Sequence, residues 1–299
     1  MSVLRQASRV TGGIERGGGV WTATARAVYV IWYRDLVRYT RDRVRLVISL
    51  AQPLLYLLVF GVGLSSSIGG GGTGLLGATA APGSVGYVRF MFPGVVGMAI
   101  LFTAIFSAMS IVWDREFGFL REILVAPINR SAVAIGKALG GATQAMIQGL
   151  VMLAFAPVAG VHLSLLSVLE VIPLLFILAF ALSALGVALA ARMRSMQGFQ
   201  MVMNLLLMPM FFLSGSLFPL NGLPGWMTVL TRLDPVAYGI APVRHVVLAG
   251  AGVPPGVLDR VAAVTIAGHT VPVLADAALL LAFGLVMLAV GVYGFRRRD

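Results

Sequence analysis

Six stretches of this chain, each about twenty residues long, are almost free of charge, and clusters of arginine stand between them. They run 46–64, 91–112, 138–160, 168–191, 199–218 and 273–295, and Glu170 and Asp276 are the only charged residues inside them. About twenty residues of α-helix cover the roughly 30 Å of hydrocarbon in a bilayer. A composition of 59% hydrophobic and 11% charged residues lies far outside the globular range. The expected fold class is an all-α membrane protein with six transmembrane helices.

Six spans put both ends on one side of the membrane. With that assignment the inner segments hold 18 basic residues, whereas the outer ones hold four, Arg89, Arg232, Arg244 and Arg260. The positive-inside rule then makes both termini cytoplasmic, in a multi-pass protein of a bacterial plasma (inner) membrane. The net charge of +11 could suggest nucleic acid, but the basic residues fall in four separated clusters instead of lining one face, so no nucleic-acid partner is expected. The chain has no cysteine and hence no disulfide. Of its 22 basic residues 21 are arginine.

Residues 1–19 read as a disordered cytoplasmic tail, with no signal-peptide core after it and no cleavage expected. In 20–45, Trp21, Val28, Trp32, Leu36 and Tyr39 fall near one helical face with arginines opposite, which suits an amphipathic helix in the membrane interface. The remainder, 46–299, is the six-helix domain. Its Gly, Ser and Ala run over 65–84 is a flexible outer loop and lacks the Lys-Ser or Lys-Thr that would close a phosphate loop. At the start of the third span Gly136, Gly140, Gln144 and Gln148 step by four; this stripe serves a close helix contact or a polar substrate path. Thr103, Ser107 and Ser110 form a second stripe, whose hydroxyls are expected to bond back to their own helix. Between spans five and six, residues 219–250 are cut by prolines into pieces too short to cross, as in re-entrant outer half-helices. Asp234 before Pro235 is a helix start, and 261–273 has the alternation of a small hairpin.

The segment 113–137 is the exception to the avoidance of charge. Six charges lie in its first 18 residues, and about twenty apolar residues flank it on each side. Phe117, Leu120 and Leu124 recur at helical steps before Pro127, which predicts a short amphipathic cytoplasmic helix. Enzymatic chemistry is excluded on the residues: His162, His245 and His269 lie in different outer segments, and no metal or nucleophile motif occurs, so neither a catalytic nor a metal site is expected. An ion-driven carrier needs ionisable groups near mid-membrane, and Glu170 and Asp276 lie near span ends.

Three segments in order, YVRFMFPGVVGM, DREFGFLREILVAPINRSAVAIGK and FLSGSLFPLNGLPGWMTVLTRLDPVAYGIAPVR, resemble the membrane-spanning subunit of type-2 ATP-binding cassette exporters, the group of daunorubicin-type and nodulation-factor exporters. The resemblance covers about 21–298. It implies that the segment after the second span is a coupling helix, with Glu116, Leu120, Arg121, Glu122, Leu124, Pro127 and Arg130 contacting a separate ATPase. It also implies a connecting helix over 21–43 and a re-entrant outer gate over 219–250. ATP and Mg²⁺ would bind that partner and no cofactor this chain; a second permease chain, identical or paralogous, and membrane lipid complete the partners. A pathway lined by Phe102, Phe106, Asn204, Met208 and Phe212 suits a drug-like amphiphile or a lipid or glycolipid. Polysaccharide export would favour aromatic rings along the spans, and a channel or lone carrier is the remaining class.

Overall fold

The computed structural model describes residues 19–68, 86–117, 130–161, 163–220, 222–254, 256–258, 265–266 and 269–296. The expected tail up to residue 18, most of the glycine-rich loop, and residues 118–129 lie outside them. Helix α1 (Gly19–Arg41) covers most of the stretch 20–45, and α2 (Arg43–Ile68) leaves it at Asp42 with a bend of 71°. On α1, Ile31, Asp35 and Tyr39 are buried at steps of four residues, while Tyr29, Val30 and Tyr33 are exposed.

Helix α3 (Tyr87–Ser107) turns at Ala108 into α4 (Met109–Glu116). Here the hydroxyls of Ser107 and Ser110 donate to the carbonyls of Ala104 and Ser107, as the sequence predicts, and such back-bonds bend helices. One correction follows. The second span does not stop at residue 112; the helix continues through the charged residues to Glu116. Helix α5 (Arg130–Leu153) likewise starts at Arg130 instead of residue 138 and gives way to turns from 154. It can do so because the charge of Lys137 is matched inside the protein, as described below.

Helix α6 (Leu165–Ala190) starts at Ser164, whose hydroxyl accepts the Ser167 amide, and α7 (Met196–Leu213) starts in the same way at Ser195 with Gly198. Two shorter helices follow, α8 (Gly225–Leu233) and α9 (Pro235–Gly250). As the sequence predicts, Asp234 caps α9 by accepting the Val236 amide at 2.9 Å, with Pro235 in the first turn. The expected hairpin is present as β1 (Thr265–Ile266) and β2 (His269–Thr270), antiparallel with Thr265 opposite Thr270. The final helix is α10 (Val273–Arg296).

Among the described residues, four helices are long and apolar enough to cross a membrane alone: Tyr87–Glu116, α6, α7 and α10. The bent pair α1 and α2 supplies a fifth candidate. Helix α5, expected as the third span, is not one of them because Lys137, Gln144 and Gln148 lower its hydropathy, and all three are buried. It packs against α1, α3, α6 and α10, while α3 packs on α6 and α2 on α3. A methyl group on Gly141 would collide with the hydroxyls of Ser107 and Ser183, so α3, α5 and α6 approach closely at a residue that has no side chain. Ser183 donates to the Ala138 carbonyl at 2.8 Å across that contact.

Candidate functional site

The four-residue stripe on α5 meets a matching one on α1. A Cβ added at Gly136 would lie 2.9 Å from Ile31, and one at Gly140 would lie 3.3 Å from Asp35. One step further the Gln144 amide donates to the Asp35 carbonyl at 3.3 Å, and then the Tyr39 hydroxyl donates to Gln148 Oε1 at 3.1 Å. Of the two readings left open by the sequence, the helix contact is the one these four residues make.

That seam leads to a buried ion cluster. Lys137 Nζ lies 3.1 Å from Asp35 Oδ2 and 3.4 Å from Asp114 Oδ2, and donates to Ser110 Oγ at 2.9 Å. Its side chain is 4% exposed. Arg34, half exposed, reaches Asp35 at 3.5 Å and Asp114 at 3.6 Å. An ammonium withdrawn from water is tolerated only with matched charge around it, and here two carboxylates and a hydroxyl provide it. The sequence places Lys137 at the end of a wet segment; the structure corrects this and buries it. The cluster joins α1, α4 and α5, so the two helices that flank residues 118–129 are tied to each other and to α1.

Arg115 and Glu116 turn to the connection between α6 and α7. Arg115 Nη1 donates to the carbonyls of Ala190, Ala191 and Met193 at the end of α6, and Glu116 Oε2 accepts the Met196 amide at 2.8 Å at the start of α7. A cation on terminal carbonyls and a carboxylate on a first-turn amide both complement the helix dipoles. Of the residues expected to contact an ATPase, Glu116 is therefore engaged within the chain, and Arg130 opens α5. Leu120, Arg121, Glu122, Leu124 and Pro127 lie outside the described residues.

Beside the cluster is a cavity of about 660 Å³, enclosed by the α1–α2 elbow, α3, α4 and α5. Phe102 and Phe106, stacked with centroids 6.2 Å apart, form its apolar wall, and Gln144 reaches it from α5. The other three residues proposed for the pathway are elsewhere: Asn204, Met208 and Phe212 lie on the exposed side of α7 and do not line it.

The sequence profile described as ABC-2 type transporter matches residues 26–248 of this helical arrangement, from α1 through α9. The chain belongs to the ABC-2 type transporter family. It is 26% identical over 224 residues to ycf38 of Cyanophora paradoxa, named as a transport permease, covering 73% of this chain and 72% of that protein. It is 26% identical over 233 residues to Nodulation protein J of Rhizobium meliloti, covering 77% and 82%. With a protein of Mycobacterium tuberculosis named "Probable doxorubicin resistance ABC transporter permease protein DrrC" it shares 27% identity over 229 residues, covering 73% and 75%.

This ABC-2 chain has a second buried cation, where the start of α3 meets the turn after α7. Arg244 is 2% exposed; its Nη2 donates to the Gly215 carbonyl at 2.6 Å and its guanidinium lies 4.1 Å from the centre of the Phe90 ring. The Tyr87 hydroxyl donates to the Leu217 carbonyl at 3.1 Å, so the start of α3, the turn after α7 and α9 converge here. Gly215 sits at φ +76°, which glycine adopts without strain. At the start of α9, loss of water pushes the Asp234 carboxyl up to about 8, against the Val236 amide that pulls it down. Sequence reasoning missed the Lys137 cluster and the Arg244 contact. One signal was available, the lone lysine among arginines at the edge of an apolar run; for Arg244 none was.

Proposed function

We propose that this chain is the permease subunit of an ATP-binding cassette exporter that moves a hydrophobic or amphipathic small molecule outward, with a second permease chain and a separate ATPase that carries ATP and Mg²⁺. The observation that carries the reading is the ion cluster. A push delivered at residues 118–129 acts on α4 and α5, and Lys137 makes those two helices and α1 respond as one body, the requirement for converting ATPase closure into a rigid-body shift of the spans. On this reading α2, α3 with α4, α5, α6, α7 and α10 are the six spans. The 24 residues of α5 extend about 36 Å, and its polar side chains face α1 and α4 instead of lipid. The termini then lie in the cytoplasm and α8, α9 and the hairpin outside. A small amphiphile as cargo is supported by two relatives whose printed names point to doxorubicin resistance and nodulation.

The test is a search of the neighbouring reading frames for an ATPase with a Gly-x-x-x-x-Gly-Lys-Ser/Thr loop, co-expression with it, purification through a tag on the permease, and ATP hydrolysis in liposomes. Co-purification with vanadate-sensitive hydrolysis stimulated by doxorubicin is expected. Arg121→Ala with Glu122→Ala should lower the stimulated rate while membrane insertion is unchanged. A permease that purifies alone returns the chain to a channel or lone carrier, and stimulation by glycolipid but not doxorubicin moves the cargo to lipids.

A further inference from the structure

The cavity beside the ion cluster has two unlike sides. Phe102, Phe106 and the buried Pro53 make one side apolar, and the elbow of α1 brings three charged residues, Asp35, Arg38 and Asp42, to the other. Two of those three are committed. Asp35 is held by Lys137 at 3.1 Å, and Asp42 also has a partner. Arg38 is exposed in the lining and its side chain makes no hydrogen bond or ion pair with any described residue. The mouth is apolar: Val44, Ile48 and Trp113 line it with 68%, 65% and 42% of their surface exposed. Exposed aliphatic side chains with a tryptophan at an elbow between an interfacial helix and a span suit the boundary between headgroups and acyl chains. A volume of about 660 Å³ falls among small-molecule sites and admits a headgroup with the first part of an apolar chain.

We propose that this cavity binds one anionic amphiphile drawn from the inner leaflet, its phosphate on Arg38 and its apolar body against Phe102 and Phe106. The guanidinium is the one uncommitted charge in the lining, so the site selects a negative headgroup; a cationic or zwitterionic ammonium finds both carboxylates engaged. Placing the elbow at the inner leaflet rests on the exporter reading above, but binding needs no ATPase, and the two stand or fall separately.

The test uses the full chain in phosphatidylcholine nanodiscs, with Trp21, Trp32 and Trp226 changed to Phe so that Trp113 reports from the mouth. Brominated phosphatidylglycerol should quench Trp113 saturably and with about a fivefold preference over brominated phosphatidylcholine, the size expected for one arginine meeting an anionic headgroup. Arg38→Gln should abolish the preference, whereas Arg41→Gln, an exposed neighbour outside the lining, should keep it. Excess inorganic phosphate should leave the quenching unchanged. Equal quenching by the two lipids, equal losses in both arginine variants, or full displacement by inorganic phosphate overturns the proposal. Photoactivatable phosphatidylglycerol on the wild-type chain gives a second readout independent of the substitutions: cross-links should map to residues 38–53 and 102–113, and cross-links elsewhere only would refute it. A chain that binds phosphatidylglycerol here but recruits no ATPase leaves this inference standing and removes the exporter reading; active transport without lipid preference does the reverse.

Discussion

Lys137→Met removes one charge from the buried cluster and nearly preserves volume. It leaves Asp35 and Asp114 inside the bundle, both buried, without the ammonium that lies 3.1 and 3.4 Å from them. Breaking a buried pair by deleting one partner costs about 3–5 kcal/mol. Arg34 remains 3.5 and 3.6 Å from the two carboxylates with its side chain 49% exposed, and it offsets part of the loss. The low end, about 3 kcal/mol or roughly two decades in the unfolding constant, is therefore expected. The assay is reversible unfolding in mixed micelles by titration with sodium dodecyl sulfate, followed by tryptophan fluorescence. The triple change Lys137→Met, Asp35→Leu and Asp114→Leu removes every charge of the buried core, and should return to within about 1 kcal/mol of the parent, since apolar replacement of a whole buried pair is near neutral. A loss below about 0.5 kcal/mol for Lys137→Met, or a triple variant weaker than the single one, would refute a matched buried charge.

Three further outcomes can be checked by unfolding, the first two in the same assay. In Gly94→Ala the new Cβ would lie 2.5 Å from the Ser216 carbonyl oxygen and 2.6 Å from its Cα; backbone must move, so a loss of about 1–3 kcal/mol is expected, and an unchanged midpoint would show that the turn after α7 yields freely. Tyr39→Phe and Gln148→Leu should each destabilise, and their double-mutant cycle should give a coupling of about 1 kcal/mol from the shared hydrogen bond; additive losses would remove that bond from the argument. Asp234 holds its proton up to about pH 8 when folded and sheds it near the usual carboxylate range when unfolded. The folded state thus binds more protons in that window, and stability should fall as pH rises through it. Asp234→Asn, which can still cap α9, should flatten the profile between pH 5 and 8, checked by thermal unfolding at each pH.

The elements that could be read from the sequence are those whose signals are local. Asp234 with Pro235 carries a helix start within two residues, the alternation over 261–273 carries a hairpin, and Gly136 to Gln148 carry a contact face by their spacing alone. What could not be read depends on partners far away in the chain. Lys137 looks like the boundary of a wet segment because its counter-charges are supplied by Asp35, about a hundred residues earlier, and by Asp114 on another helix. The start of α5 at Arg130 is hidden from the sequence for the same reason. Glu116 has the composition of a surface carboxylate, and only the return of α7 beside α4 gives its oxygen an amide to accept. Phe102 and Phe106 share a cavity wall because both lie on one face of one helix, whereas residue type alone, which is what joins Asn204, Met208 and Phe212 to them in the sequence, says nothing about which way α7 faces.

The buried ammonium has a practical consequence. Lys137 is the chain's single lysine, and with its side chain 4% exposed it is shielded from acylating reagents as long as the three helices stay together. An arginine-rich surface offers such reagents no competing side-chain amine. The rate at which an activated ester marks residue 137 in the intact membrane thus measures how often the junction of α1, α4 and α5 opens, turning one native residue into a clock for the transport cycle without any engineered label.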